Sequence, residues 1–500
     1  MQLVNQLCDY LKKLFSPIKQ LWGKINDNTK TFIIIFSLCA IYIGVGYSYI
    51  DYEYYYYGII PLLLVGLLLY YFHLDKVLYL ICFLTPLSIR ILLGETFAMS
   101  IPVEPMLILF FLCFIIKSFL KDAYPKKILT HPVTIAISFY LIWMFITCFS
   151  STHPLVSFKY FASKLLYIVS FYFATIPLFA KVGNIKTMYW SYSATLLLVV
   201  FYATISFASK GFEFNDSFYS MQPFYNDHTA YGAILAMFLI LVSYFLFFEK
   251  TTIIKKIIYF IFFCVFLMGL ALSYSRAAWL SVLPAFGVFL ILKLKIKFKY
   301  IIYAFSLFVI VFFAFRGTIM EKISGNEQDS SGNISEHISS ISNISTDASN
   351  VERLNRWACV FRMFDEKPIL GWGPGTYQFE YAAFQKSYQL STISTNAGNL
   401  GNAHSEYFGP LAESGIFGML SFIIIVLVVI YVGIQTYNKT QDKQEANLAL
   451  FLTMALITYY IHGGLNNFLD TDKLSIPFWF FTSAIVSLNI YSKKKSATDL

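Results

Sequence analysis

The residues of this chain best suited to chemistry are its arginines, one glycine-rich turn and one histidine. Only six arginines occur in 500 residues: Arg90, Arg276, Arg316, Arg353, Arg356 and Arg362. A guanidinium is a planar fork that binds phosphate or carboxylate through two parallel hydrogen bonds, which a lysine ammonium does not do. Arg353 and Arg356 stand three apart in a segment, 351–364, whose Leu354, Trp357, Val360, Phe361 and Phe364 recur at helical spacing, so the two share a helix face. Lys367-Pro368 ends that helix. Gly371-Trp372-Gly373-Pro374-Gly375 follows, a turn able to bring backbone amides close to a ligand. Asn402-Ala403-His404-Ser405-Glu406-Tyr407 comes next, with an imidazole that titrates near neutral pH and can move a proton. Compositional bias is the bland reading of so few arginines; the sharper one is an anionic ligand.

The elements that must position these residues are membrane helices. The chain is 58% hydrophobic and 13% charged, whereas a soluble domain has about a quarter of its residues charged. Apolar runs of about 17 to 25 residues recur, predicting an all-α polytopic helical membrane protein with about 12–14 transmembrane helices by that count. The spans are expected to start near Thr31, Tyr57, Val77, Pro105, Pro132, Lys164, Met188, Ala230, Ile253, Ala277, Tyr300, Glu413, Asn447 and Ser475. Alternate connections are rich in lysine, among them Lys117, Lys121, Lys126 and Lys127, and Lys293, Lys295, Lys297 and Lys299. The positive-inside bias puts these in the cytoplasm, with both termini. All six arginines then fall on or near the outward side. The expected organisation is a cytoplasmic amphipathic helix over 1–30 and a transmembrane bundle over 31–315. A large extracytoplasmic loop with short helices over 316–412, C-terminal transmembrane helices over 413–492 and a cytoplasmic tail over 493–500 complete it. The first part of the loop, 324–350, is Ser/Asn/Asp/Gly-rich and reads as flexible. A second outward connection, 206–229, carries Lys210, Glu213, Asp216, Asp227 and His228. The net charge of +9 says little by itself; no nucleic-acid partner is expected, and the seven cysteines show neither a disulfide framework nor zinc spacing.

Several of these residues resemble the signature of the O-antigen ligase/polymerase superfamily of bacterial membrane proteins. The shared elements are Arg353 and Trp357, Pro368-Ile369-Leu370-Gly371-Trp372-Gly373-Pro374-Gly375, Ala403-His404-Ser405-Glu406-Tyr407, and Glu413-Ser414-Gly415-Ile416-Phe417-Gly418 leading into a span. Upstream, Ser273-Tyr274-Ser275-Arg276-Ala277-Ala278 matches where one span ends outside and the next begins. The resemblance implies a GT-C-like glycosyltransferase of the inner membrane, its active site facing the periplasm. It would transfer a glycan from undecaprenyl diphosphate among membrane lipids, without metal or other cofactor. Ligases of the family use lipid A–core as acceptor and polymerases use another repeat unit. The family often has His-Asn where this chain has His404-Ser405, which puts a direct role for position 405 in doubt.

Such a transfer needs positive charge for the departing diphosphate and a base for the acceptor hydroxyl. Arg276, Arg353 and Arg356 are the candidate clamp, with Lys159 and Lys164 as additions. The alternatives are an interfacial arginine for Arg276 and a solvated helix face for the other two. His404 is the candidate base, against a histidine that caps the next helix. His228 is the runner-up, with a binding or structural role, in a turn where Asp227 or Thr229 could cap the following helix. Trp372 is a candidate substrate contact in the glycine-rich turn. Asp470-Thr471-Asp472 has the spacing of a metal-binding pair but reads as a short solvated loop. One dominant outer loop favours a ligase over a polymerase, which divides its functional residues between two loops. A transporter, the third reading, would need ionisable groups in mid-span.

Overall fold

The computed structural model describes residues 72–92, 98–120, 124–297, 348–390, 394 and 401–494, with scattered positions between 299 and 314. The expected amphipathic helix over 1–30, the spans near Thr31 and Tyr57, most of the span near Tyr300, residues 324–347 and the tail beyond 494 lie outside the described residues. The rest is an all-α polytopic membrane protein. Lipid offers the backbone no hydrogen-bond partner, so apolar stretches satisfy their N–H and C=O groups internally, as helices.

The helices are α1 (Leu74–Leu84), α2 (Val103–Leu120), α3 (Pro132–Phe149), α4 (Pro154–Ile168), α5 (Val182–Ser209), α6 (His228–Phe247), α7 (Ile253–Leu272) and α8 (Arg276–Lys293). After the outer segment come α9 (Ala348–Glu366), α10 (Phe408–Lys439), α11 (Lys443–His462) and α12 (Asp472–Tyr491). Among the described residues, eight helices are long and apolar enough to cross a membrane: α3, α4 with its continuation to Leu178, α5, α6, α7, α8, α10 and α12. Two of the expected spans differ in more than a few residues at an end. The span placed near Val77 is the 11-residue α1, which rises only about 16 Å, half the hydrocarbon thickness. Pro86 has no N–H to carry the α-helical ladder on; residues 85–87 tighten into a 3₁₀ turn, Ser88 is extended, and the chain passes into a hairpin of β1 (Ile89–Leu92) and β2 (Ala98–Ile101), with Ile89 opposite Ile101. The span placed near Lys164 starts at Pro154, so Lys164 lies inside a helix and is buried.

The centre of the bundle is α6, α11 and α12. α6 packs on α7, α8 and α11, while α12 packs on α10, α11 and the π-helical turn Val169–Phe173 that follows α4. In α6 and α12, 83% of the apolar window is buried, against 22% in α7 and 17% in α8. A helix apolar all round is at home at such a centre. At the first turn of α12, Lys473 donates to the carbonyls of Thr85 (2.5 Å) and Ser88 (2.6 Å), and Asp472 accepts from the Ser88 hydroxyl. These bonds hold the turn that ends α1.

Outside the spans, α9 packs on α10. The glycine-rich turn after α9 docks on the first two turns of α10. Trp372 N–H donates to the Ala412 carbonyl (3.0 Å), Gly373 N–H to the Glu413 carbonyl (2.7 Å) and Tyr377 N–H to the Glu413 carboxylate (3.2 Å). α10 breaks at Gly415, whose φ of 69° lies in the left-handed region. A Cβ at that position would overlap the Ile369 carbonyl. The break leaves Ile416 N–H without its intrahelical partner, and it donates instead to the Pro368 carbonyl (2.9 Å). The turn's amides are therefore spent on α10. The expectation that they approach a ligand is corrected: the turn is a latch between α9 and α10.

Candidate functional site

Five segments far apart in sequence converge at one end of the central helices. Asp227 is the N-cap of α6, its carboxylate accepting from Thr229 N–H (2.7 Å) and the Thr229 hydroxyl (2.8 Å). That cap fixes His228, the first helical residue. The His228 Nδ1 lies 2.8 Å from the Ser273 carbonyl. A carbonyl only accepts, so Nδ1 carries the proton and Nε2 is left as the acceptor of the neutral ring. The Phe218 ring meets the imidazole edge-on at 4.5 Å. Ser273 belongs to the α7–α8 joint, where Tyr274 has φ 48° and the Ser275 hydroxyl caps α8 by accepting from Ala278 N–H (3.4 Å). Arg276 is the first residue of that helix.

Arg353 comes from α9. Its Nε donates to the Leu465 carbonyl (3.0 Å) in the connection between α11 and α12. Burial first, then the like charge of Arg276, lower its pKa, while Asp227 raises it. The guanidinium nonetheless stays charged. The charges of Arg353 and Arg276 also act on His228. Asp227, His228, Arg276 and Arg353 thus form one electrostatic group.

His404 joins it from the segment before α10. Its φ is 49°, a conformation uncommon outside glycine, and its N–H donates to the Asn402 side-chain carbonyl (3.1 Å). Burial first, then the charges of Arg353 and Arg356, push its imidazole down to about 4. It is therefore neutral at physiological pH and able to accept a proton. His404 does not cap the next helix. The turn before that helix is closed by the Ser405 hydroxyl, which accepts from Tyr407 N–H and Phe408 N–H at 3.2 Å each.

Other expected site residues lie elsewhere or are committed. Arg356 does not join Arg353 on a shared ligand face. It is buried, with Nε 2.6 Å from Glu352, Nη1 donating to the Asn402 carbonyl (3.2 Å) and the guanidinium 4.4 Å from the centre of the Tyr381 ring. Arg356 supports the turn that carries His404. Replacing Arg356 by alanine is expected to destabilise the protein by about 3–5 kcal/mol, because the buried Glu352 carboxylate loses its countercharge. A thermal melt in detergent checks this, and an unchanged midpoint would return Arg356 to the ligand face. Trp372 packs away from the cluster, its indole N–H donating to the Met363 carbonyl (3.0 Å) with the Lys367 ammonium 3.9 Å from its ring centre. Lys164 is buried and paired with Asp470 at 2.7 Å, and Lys159 is an exposed residue of the same helix. Asp470-Thr471-Asp472 is a solvated loop only in part: Asp470 is exposed, whereas Asp472 is buried. Asp470 holds Lys164 and the Tyr160 hydroxyl (2.9 Å), and Asp472 is buried against Ser88.

One residue had no visible constellation in the sequence. His462, the last residue of α11, is buried with neither ring nitrogen hydrogen-bonded, and the charges of Asp227 and Arg353 act on it. Buried polar groups are seldom left unpaired. Nothing local marks it, since these partners are more than a hundred residues away.

Residues 261–423 match the family model described as O-antigen ligase. The match includes Arg276, Arg353, Arg356, Trp372 and His404, and leaves Lys159, Lys164 and His228 outside it. Among curated proteins, no significant match is found.

Proposed function

We propose that this chain, which carries a domain of the O-antigen ligase/polymerase superfamily over residues 261–423, is a glycan ligase. It transfers a glycan from undecaprenyl diphosphate to lipid A–core at the periplasmic face of the bacterial inner membrane. The support is the convergence of Arg276, Arg353 and His404, two guanidinium forks and a neutral imidazole delivered by three separate segments. In this reading an acceptor hydroxyl attacks the anomeric carbon and the bond from that carbon to the diphosphate oxygen breaks. His404 takes the hydroxyl proton, and undecaprenyl diphosphate leaves with its charge held by Arg276 and Arg353. His228, its Nε2 available as an acceptor, contacts the donor sugar.

One observation favours a second reading, a repeat-unit polymerase. Asp227 and His228 reach the cluster from the connection after α5, so its residues are not confined to the one large outer loop. The test is transfer in vitro from a defined polyprenyl-diphosphate glycan, with no added metal, to lipid A–core or to a second lipid-linked repeat. Glycosylated lipid A–core is expected. Extension of the lipid-linked repeat alone would replace the ligase with the polymerase, and no transfer to either acceptor would end both readings.

A further inference from the structure

Two residues after His404, the Glu406 side chain is buried in a place where a carboxylate is costly unless fully bonded. Its Oε1 accepts from the Tyr459 hydroxyl (2.6 Å) and from Leu469 N–H (2.8 Å), while its own N–H donates to the Gly463 carbonyl (2.8 Å). The Tyr459 oxygen also accepts from Phe468 N–H (3.1 Å). One residue thereby grips both ends of the connection between α11 and α12. The middle of that connection presents the Leu465 carbonyl on which Arg353 Nε rests. Its far end is tied separately, by Asp470 to Lys164 and to the Tyr160 hydroxyl.

We propose that Glu406 is a positioning residue that sets Arg353, the diphosphate clamp, through the α11–α12 connection. The inference rests on the transfer reading given above. The chain of contacts is short: Glu406 to Gly463 and Leu469, the connection between them, Leu465 to Arg353. Lys164 acts in the same way from the opposite side, through Asp470 and not on a phosphate.

The test is a double-mutant cycle in the full-length chain, read as transfer from a lipid-linked glycan and normalised to inserted protein. Glu406→Ala is expected to lower transfer by about tenfold to a hundredfold, the cost of a misplaced reacting group. In an Arg353→Lys background the same change is expected to cost no more than about twofold, because the group it positions has already lost its fork. Glu406→Gln keeps the Oε1 acceptor and is expected to retain most of the activity. Equal falls in the two backgrounds, or full transfer by Glu406→Ala, would overturn the proposal. Should Glu406→Ala fail to insert, Tyr459→Phe removes one bond to the same oxygen and takes its place in the cycle, with a fall of about threefold expected and the same two overturning outcomes. Unimpaired transfer by Arg353→Lys would instead strike the role given to Arg353 in the transfer reading, a result distinct from either of these.

Discussion

Replacing His404 with alanine is expected to lower glycan transfer by about 10²- to 10⁴-fold, the contribution of a positioned general base, while the protein still inserts in the membrane. On the proposed reading the imidazole is the neutral proton acceptor, set among the charges of Arg353, Arg356 and Asp227. Its backbone is in the left-handed region, so His404→Asn, which tolerates that conformation, serves as the control for strain. Retained transfer in both variants would remove the base and reopen the transporter reading. The pH dependence is a second measurement on the same residue. A base must be deprotonated, and one pushed down to about 4 is deprotonated at every pH above that value. The acid limb of kcat/KM, which reports the free enzyme, is therefore expected near pH 4 and not near the ordinary histidine value. Bound diphosphate offsets the arginine charges, so the limb in kcat is expected at higher pH. A kcat/KM limb at the ordinary value would show that His404 is not the titrating group.

Changing Arg276 to lysine keeps a positive charge and loses the planar fork. If Arg276 holds the departing diphosphate through two bonds, transfer should fall by about 10²-fold, comparable to deleting one preorganised donor of a transition-state charge. The geometry makes this a sharp test, because Arg276 stands at the first position of α8, where the Ser275 cap fixes its backbone. A lysine there starts from the same Cα and differs only in its head group. Initial rates at saturating donor separate a loss in chemistry from a loss in binding. Full activity would end the bidentate reading and leave Arg276 as an interfacial charge.

Much of the site could be read from the sequence, and what could not has physical reasons. The helix α9 was legible because its apolar residues recur at helical spacing and Lys367-Pro368 stops it. The cap of α6 by Asp227 was legible because N-caps are local. Arg356 was read as the partner of Arg353 across one turn, yet Glu352, four residues back, is its actual partner. Both spacings suit a helix, and only burial decides between them. The glycine-rich turn was misread for a related reason. Its glycines announce that backbone amides come close to something, and that something, the start of α10, lies some forty residues away. His462 and the Asp470–Lys164 pair depend wholly on contacts between distant segments, which spacing does not encode. The end of α1 is the opposite case: Pro86 is a local signal, and the expectation of a span from near Val77 passed over it.

The uneven burial of the helices bears on how such an enzyme would be assayed. α7 and α8, the least enclosed of the eight spans, meet at the joint that presents Arg276. On the proposed reading, a donor whose prenyl tail lies in the bilayer reaches the clamp by lateral diffusion along that edge. Its effective concentration is then a mole fraction of the lipid, not a quantity per volume of buffer. Diluting the donor with inert lipid should slow the reaction at constant bulk amount, while diluting the whole vesicle suspension should leave turnover per enzyme unchanged. An apparent KM quoted in molar units would describe the preparation more than the protein.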